Sequence, residues 1–91
     1  MLNTLLISYD LRTPGKDYSR LWNRLFSYGN YARPLESVWL IRTIYTAEQV
    51  RDSIRGYVDQ NDKLFVVDVT GRPVAWNNLL ADVVKWIGKT L

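Results

Sequence analysis

The sequence predicts an α+β sandwich of the split-βαβ type, with an antiparallel sheet and an added C-terminal helix. Short β-prone apolar runs alternate with segments whose apolar residues have helical spacing. The chain is 47% hydrophobic and 13% aromatic, which is enough for a packed core. Its 91 residues suit one domain. We therefore expect a single domain over residues 1–91, with its core over about 3–70 and a helical addition over about 74–89.

The first half of the chain predicts a strand, a helix and a hairpin. Residues 4–10 are apolar and β-prone, and a Pro-Gly turn follows them. From Asp17 the apolar residues have helical spacing, and Gly29 is expected to close this helix in a left-handed conformation. Residues 31–35 contain a proline and predict a short edge strand, which pairs in a hairpin with a strand over 37–43.

The second half predicts a helix, a strand and a final helix. Thr46 and Gln49 have the spacing of a capping box, which predicts a helix N-terminus. Residues 63–69 form a nearly continuous apolar run typical of a strand. The third amphipathic helix is indicated by Trp76, Leu79, Leu80, Val83, Val84 and Ile87. The predicted order is therefore β-α-β-β-α-β-α.

Both faces of the predicted sheet carry apolar residues. In the first strand Leu5 and Ile7 alternate with Leu6 and Ser8, and the last strand has a similar pattern. Two helices cover only one face in this arrangement. Either the third helix or a second copy of the chain must cover the other face, because a large exposed apolar patch is unusual on a monomer.

Composition excludes several classes of site. The chain has no Cys and no His, which removes disulfides, zinc sites of Cys/His type, thiol nucleophiles and Ser-His-Asp relays. Twelve basic and nine acidic residues give a net charge of +3, too small to identify a nucleic-acid binder by itself. No apolar run is long enough to span a bilayer, and no secretion signal is evident. We therefore expect a cytoplasmic protein that binds no membrane.

Asp10, at the end of the first strand, is the candidate catalytic and metal-binding residue. Without His or Cys, an oxygen ligand such as this carboxylate favours Mg²⁺ or Mn²⁺. Two copies near a two-fold axis would repel each other, and a bound cation would relieve the repulsion. The competing interpretation is that Asp10 caps the turn that follows it. Asp62 is better placed than Asp68 as a second carboxylate, because the end of the first strand meets the start of the last strand.

Five basic residues are the candidate nucleic-acid-binding set. They are Arg12, Lys16, Arg20, Arg24 and Arg33. If they converge, they form a positive rim that holds a phosphate backbone. The alternative is that they occupy ordinary solvated surfaces. Arg51 and Arg55 are expected instead to pair with Glu48, Asp52 and Asp59 at helical spacing.

Two segments carry a family resemblance. They are Ile7-Ser8-Tyr9-Asp10-Leu11 and Glu36-Ser37-Val38-Trp39. With Leu21, Leu25 and Gly29 between them, they resemble the family of CRISPR-associated protein 2, and more closely the SinR-like and VapD-like small proteins. The later Asn61–Leu64, Thr70-Gly71 and Ala75-Trp76 segments also look like SinR-like members. The resemblance covers about residues 4–70 by pattern.

The resemblance implies a ferredoxin-like fold, a symmetric homodimer and binding to RNA or DNA. In some members of that family the Asp that closes the first strand binds a divalent metal beside its dimer mate and supports phosphodiester cleavage; the matching residue here is Asp10. The first hypothesis is therefore a metal-dependent endonuclease. The second is a non-catalytic binding or structural dimer module of a mobile-element or toxin–antitoxin system, since a fold alone does not transmit an activity.

Overall fold

The computed structural model describes residues 2–91 and contains seven elements in the predicted order. They are β1 (Asn3–Asp10), α1 (Ser19–Phe26), β2 (Tyr31–Leu35), β3 (Val38–Thr43), α2 (Ala47–Arg55), β4 (Lys63–Asp68) and α3 (Ala81–Thr90). The four strands form one antiparallel sheet in the order β2-β3-β1-β4. The predicted α+β class is thus confirmed. No helix within residues 2–91 combines the length and apolar character that a bilayer span requires.

Local sequence signals account for several element boundaries. The capping box at the start of α2 is complete, because the Thr46 hydroxyl accepts from the Gln49 N–H and the Gln49 side chain accepts from the Thr46 N–H. Gly29 has φ +81°, a left-handed conformation that favours glycine, and its N–H donates to the carbonyl of Phe26. Both predictions are therefore confirmed.

The first face of the sheet packs against α1 and α2 and forms the larger hydrophobic core. Its buried residues come from two strands, β1 and β3, and from both helices: Leu5, Ile7, Tyr9, Leu21, Leu25, Trp39, Ile41, Val50 and Ile54. Tyr9 and Trp39 also form a hydrogen bond, in which the indole N–H donates to the phenolic oxygen over 3.1 Å. The two polar atoms of these large side chains thus have partners inside the core.

The second face is covered by α3 over its β2–β3 half. A smaller cluster joins Ala32 and Leu40 of the sheet to Val83 and Ile87 of α3. Arg42 fixes the end of α3, since its guanidinium donates to the carbonyl of Thr90 over 3.0 Å. The third helix therefore covers part of this face within the same chain.

The β1–β4 half of the second face is more open. Ser8 of β1 lies opposite Phe65 of β4, and Phe65 is 61% exposed. Within residues 2–91 most of this ring stays accessible to solvent and to a partner.

The C-terminal helix begins later than the sequence indicates. The predicted addition over about 74–89 becomes a helix only at Ala81, and residues 74–80 contain no helix. Asn78 has φ +63°, which is incompatible with a continuous right-handed helix. Trp76 and Leu80 therefore leave the predicted helical stripe and are 45% and 73% exposed.

Candidate nucleic-acid interface and the Asp10 region

Asp10 lies at the end of β1, opposite Lys63 at the start of β4. Its side chain is about half exposed, and its Oδ2 accepts from Nε of Arg12 over 3.0 Å and from Nη2 over 2.7 Å. Asp10 thus fixes the side chain of Arg12, which lies in the loop that follows β1. An exposed ion pair of this kind contributes at most about 1 kcal/mol to folding.

Asp62 connects the β1–α1 loop to the α2–β4 loop. Its Oδ1 accepts from the N–H of Arg12 over 2.6 Å and from the hydroxyl of Tyr18 over 2.9 Å, and its Oδ2 accepts from the N–H of Asp59 over 2.8 Å. Although desolvation alone would raise it, these hydrogen bonds hold the pKa of Asp62 below its ordinary value. Both carboxylate oxygens are thus engaged in holding two loops together.

The carboxylates do not assemble a metal site within one chain. Asp68 lies opposite Leu5, toward the other end of β1 from Asp10, as the antiparallel pairing predicts. Across residues 2–91 there is no group of three or more acidic side chains that could hold a metal ion. Mg²⁺ requires near-octahedral oxygen coordination, and Asp10 alone supplies one carboxylate already bonded to Arg12. Within residues 2–91 a cation at Asp10 would therefore have one protein carboxylate, would compete with Arg12 for it, and would take its other ligands from water, phosphate or a second chain.

Three of the five candidate basic residues have partners in the fold. Arg12 pairs with Asp10. The ammonium of Lys16 pairs with Asp59, and their hydrogen bond raises the pKa of Lys16. The guanidinium of Arg33 lies over two core aromatics, 5.1 Å from the ring centroid of Trp22 and 5.2 Å from that of Trp39.

Arg20 and Arg24 remain, one turn apart on α1. They line an open cleft of about 430 Å³ together with Asn23, Ser27 and Tyr57. Neither arginine forms an ion pair with an acidic residue of the described chain. Hydrogen bonds from Ser19 lower the pKa of Asp17, and the nearby charge of Arg20 lowers it further. The predicted rim therefore reduces to two arginines without an ion pair, beside an amide and two hydroxyl groups.

Arg24 is held in place by packing on one side. Its guanidinium carbon lies 5.3 Å from the ring centroid of Tyr28, and its Nε is buried with no hydrogen-bond acceptor in the described structure. Because Nε is buried, a ligand in the cleft would meet the terminal nitrogens of this guanidinium and not Nε.

The arginines of α2 provide a contrast. Arg51 pairs with Asp52 and Glu48, and Arg55 pairs with Asp52, which confirms the predicted pairing along this helix. Asp59, a third predicted partner, pairs with Lys16 instead. The cations of α2 are therefore locally neutralised, whereas those of α1 are not.

Sequence analysis missed the polar residues of the cleft. Asn23 and Ser27 lie three and seven residues after Arg20, so helical spacing alone would have placed them on its face. Tyr57 follows α2, and nothing in the sequence relates it to α1. In the comparison with protein-family models, none matches this chain.

Proposed function

We propose that this chain is a non-catalytic, nucleic-acid-binding module that acts as a homodimer. The observation that carries this proposal is the cleft of α1, where Arg20 and Arg24 form no ion pair in the described chain and lie beside Asn23, Ser27 and Tyr57. The antiparallel strand order β2-β3-β1-β4 supports the finer assignment of a ferredoxin-like fold.

The chemistry of the cleft suits phosphate. Two guanidinium groups supply planar N–H donors that match phosphate oxygens, and the Asn23 amide and the Tyr57 hydroxyl add neutral donors, whereas the Ser27 hydroxyl already donates to the carbonyl of Arg24. Such contacts position a nucleic-acid backbone and carry little sequence information. We therefore expect binding to RNA or DNA that depends strongly on salt and weakly on sequence.

The proposed dimer uses the β1–β4 half of the second face. Phe65 is the largest exposed apolar residue there, and α3 already occupies the β2–β3 half. A two-fold pair would bury both Phe65 side chains at one interface. It would also present two α1 clefts to one nucleic acid, which raises affinity through effective concentration.

A salt titration tests the binding proposal. The affinity for a fluorescein-labelled oligonucleotide is measured by anisotropy between 50 and 200 mM salt, for the wild type and for the double variant Arg20→Gln/Arg24→Gln. The slope of log K against log salt is negative. Loss of two phosphate contacts makes it less steep, by about 1.4 for single strands and about 1.8 for a duplex.

The matched control is Arg51→Gln/Arg55→Gln, which removes the same net charge from arginines that already have acidic partners. We expect it to change the slope by less than half as much. Equal slopes for the two double variants would show that net charge alone drives binding. A wild type with no affinity at 50 mM salt would reject the proposal.

The second candidate is the divalent-metal-dependent endonuclease. The observation in its favour is that Asp10 is half exposed on the same β1–β4 half of the sheet as Phe65, so a dimer there would bring two copies of Asp10 toward each other. Incubation with RNA and with DNA in Mg²⁺ or Mn²⁺ separates the candidates. Cleavage that Asp10→Asn removes and Asp68→Asn retains would establish the nuclease, and we expect no cleavage.

A further inference from the structure

The second face contains a cavity that the proposed function does not use. It has a volume of about 390 Å³ and lies between the sheet, at Leu6, Val38 and Leu40, and the segment that connects β4 to α3. Ile87 and Leu91 of the C-terminal region close one side. The space is open to solvent on the side of the connecting segment, where most of its lining residues are exposed, and its volume is within the range of small-molecule sites.

The segment over residues 69–80 holds the cavity open. It has no regular secondary structure, and connections of this length without secondary structure are uncommon in compact domains. Gly71 and Asn78 have φ +68° and +63°, and Pro73 fixes a third φ angle between them. Trp76, part of the Ala75-Trp76 pair that the sequence singled out, lines the cavity and stays 45% exposed.

The lining defines the kind of molecule that fits. Nearly all of it is aliphatic or aromatic, and the only polar side chains are those of Arg72 and Asn77. The guanidinium of Arg72 forms no ion pair with any acidic residue in the part of the chain described. An apolar wall with one free cation is complementary to an amphipathic anion. The volume equals that of roughly thirteen water molecules, so about a dozen non-hydrogen atoms fit.

We propose that this cavity binds a small organic monoanion, with its apolar body against Leu40 and Ile87 and its carboxylate on Arg72. The cavity lies on the β2–β3 half of the second face, beside α3, whereas the nucleic-acid cleft lies on α1. The two sites therefore share no residue. The ligand proposal can therefore be tested, and rejected, without reference to nucleic-acid binding.

Decanoate and decanol are suitable probes, because they share a ten-carbon chain and differ in the charge of the head group. Decanoate is titrated into the full chain below its micelle concentration and decanol below its solubility limit, and binding is followed by calorimetry and by the indole N–H resonances of the tryptophans. We expect decanoate to bind one per chain and to bind at least tenfold more tightly than decanol. The Trp76 resonance should shift, while that of the buried Trp39 should not.

Two variants assign the contacts. Arg72→Gln should weaken decanoate about tenfold or more and leave decanol unchanged, whereas the control Arg55→Gln should change neither. Val38→Phe places a larger side chain in the cavity and should abolish binding of both probes. If Val38→Phe fails to fold, the comparison of Arg72→Gln with its control Arg55→Gln still tests the proposal.

Several results would overturn the proposal. They are no decanoate binding, equal binding to wild type and Arg72→Gln, or resonance shifts confined to tryptophans away from the cavity. Sedimentation of the chain without ligand can give another result that would overturn the proposal. A dimer whose formation shifts the Trp76 resonance and prevents decanoate binding would show that a second copy, not an anion, occupies the cavity.

Discussion

The two faces of the sheet differ in how completely they are packed. On the first face, Leu5, Ile7, Trp39 and Ile41 are fully buried beneath α1 and α2. On the second face, α3 covers only the β2–β3 half, a cavity of about 390 Å³ remains beside it, and Phe65 is exposed. One sheet thus has a face that stabilises the fold and a face with surface left for partners.

The side chains of the strands explain much of the difference. The first face presents large residues, among them Trp39 and Ile41, which fill the space beneath two helices. The second face includes smaller residues, among them Thr4, Ser8 and Ala32, and a single helix packs on it. A chain of 91 residues gains most of its stability from one well-packed core, so the second face can remain open at modest cost.

The largest expected effect comes from a matched pair of core truncations. Ile54 of α2 and Ile87 of α3 are both almost fully buried, but they pack on opposite faces. We expect Ile54→Ala to lower the free energy of unfolding by about 3–5 kcal/mol and Ile87→Ala by about 2 kcal/mol. The second loss is smaller because Ile87 already borders the cavity and has fewer contacts to lose.

Urea unfolding at pH 7, followed by far-UV circular dichroism, measures both variants. The slope with denaturant should stay at the wild-type value, since each variant keeps the fold. Equal losses for the two variants would mean that the second face is packed as tightly as the first. That result would also remove the structural basis of the cavity.

An intermediate loss of stability is expected at acid pH. It acts through Asp62, which joins the β1–α1 loop to the α2–β4 loop. The pKa of Asp62 is lowered in the fold, so its contribution to stability is complete above its ordinary value of 3.8 and is lost as the pH falls through the lower folded value. Asp62→Asn should therefore lower the melting temperature at pH 6 by roughly 5 °C and reduce the further loss between pH 6 and pH 3.

Asp52→Asn is the control, because Asp52 pairs only with exposed arginines of α2. It should leave the melting temperature nearly unchanged. Asp17 and Asp68 also have lowered pKa values, so Asp62→Asn should reduce the acid loss without abolishing it. If Asp62→Asn melted as the wild type does at both pH values, the hydrogen bonds of Asp62 that join the two loops would contribute nothing to stability.

Local sequence patterns were enough to predict most of the fold. The capping box of Thr46 and Gln49, the left-handed Gly29 and the edge strand over residues 31–35 all depend on neighbours within a few residues. The start of α3 was predicted too early, because apolar spacing continues through residues 76–80 while Asn78 adopts a left-handed conformation. Periodicity detects apolar residues but not the backbone turn between them.

The candidate site was harder to predict because its contacts are distant in sequence. The bond from Arg12 to Asp62 joins residues fifty positions apart, and Lys16 reaches Asp59 over a similar separation. Arg33 is a basic residue of an edge strand, and nothing local indicates that its guanidinium lies over Trp22 and Trp39. Charge alone grouped five basic residues, and only tertiary structure separates those with partners from those without.

The smallest effect on stability, and the sharpest test of the open face, is expected from Phe65→Glu. This side chain is 61% exposed, so the substitution should change the free energy of unfolding by no more than about 0.5 kcal/mol. If two copies meet at the β1–β4 half, it places two carboxylates at the interface and should abolish the dimer seen by sedimentation over a concentration series. Leu80→Glu is the matched control, since Leu80 is 73% exposed beyond the start of α3. A dimer that survives Phe65→Glu but not Leu80→Glu would place the interface on the α3 side, where it would compete with the cavity instead of leaving it free.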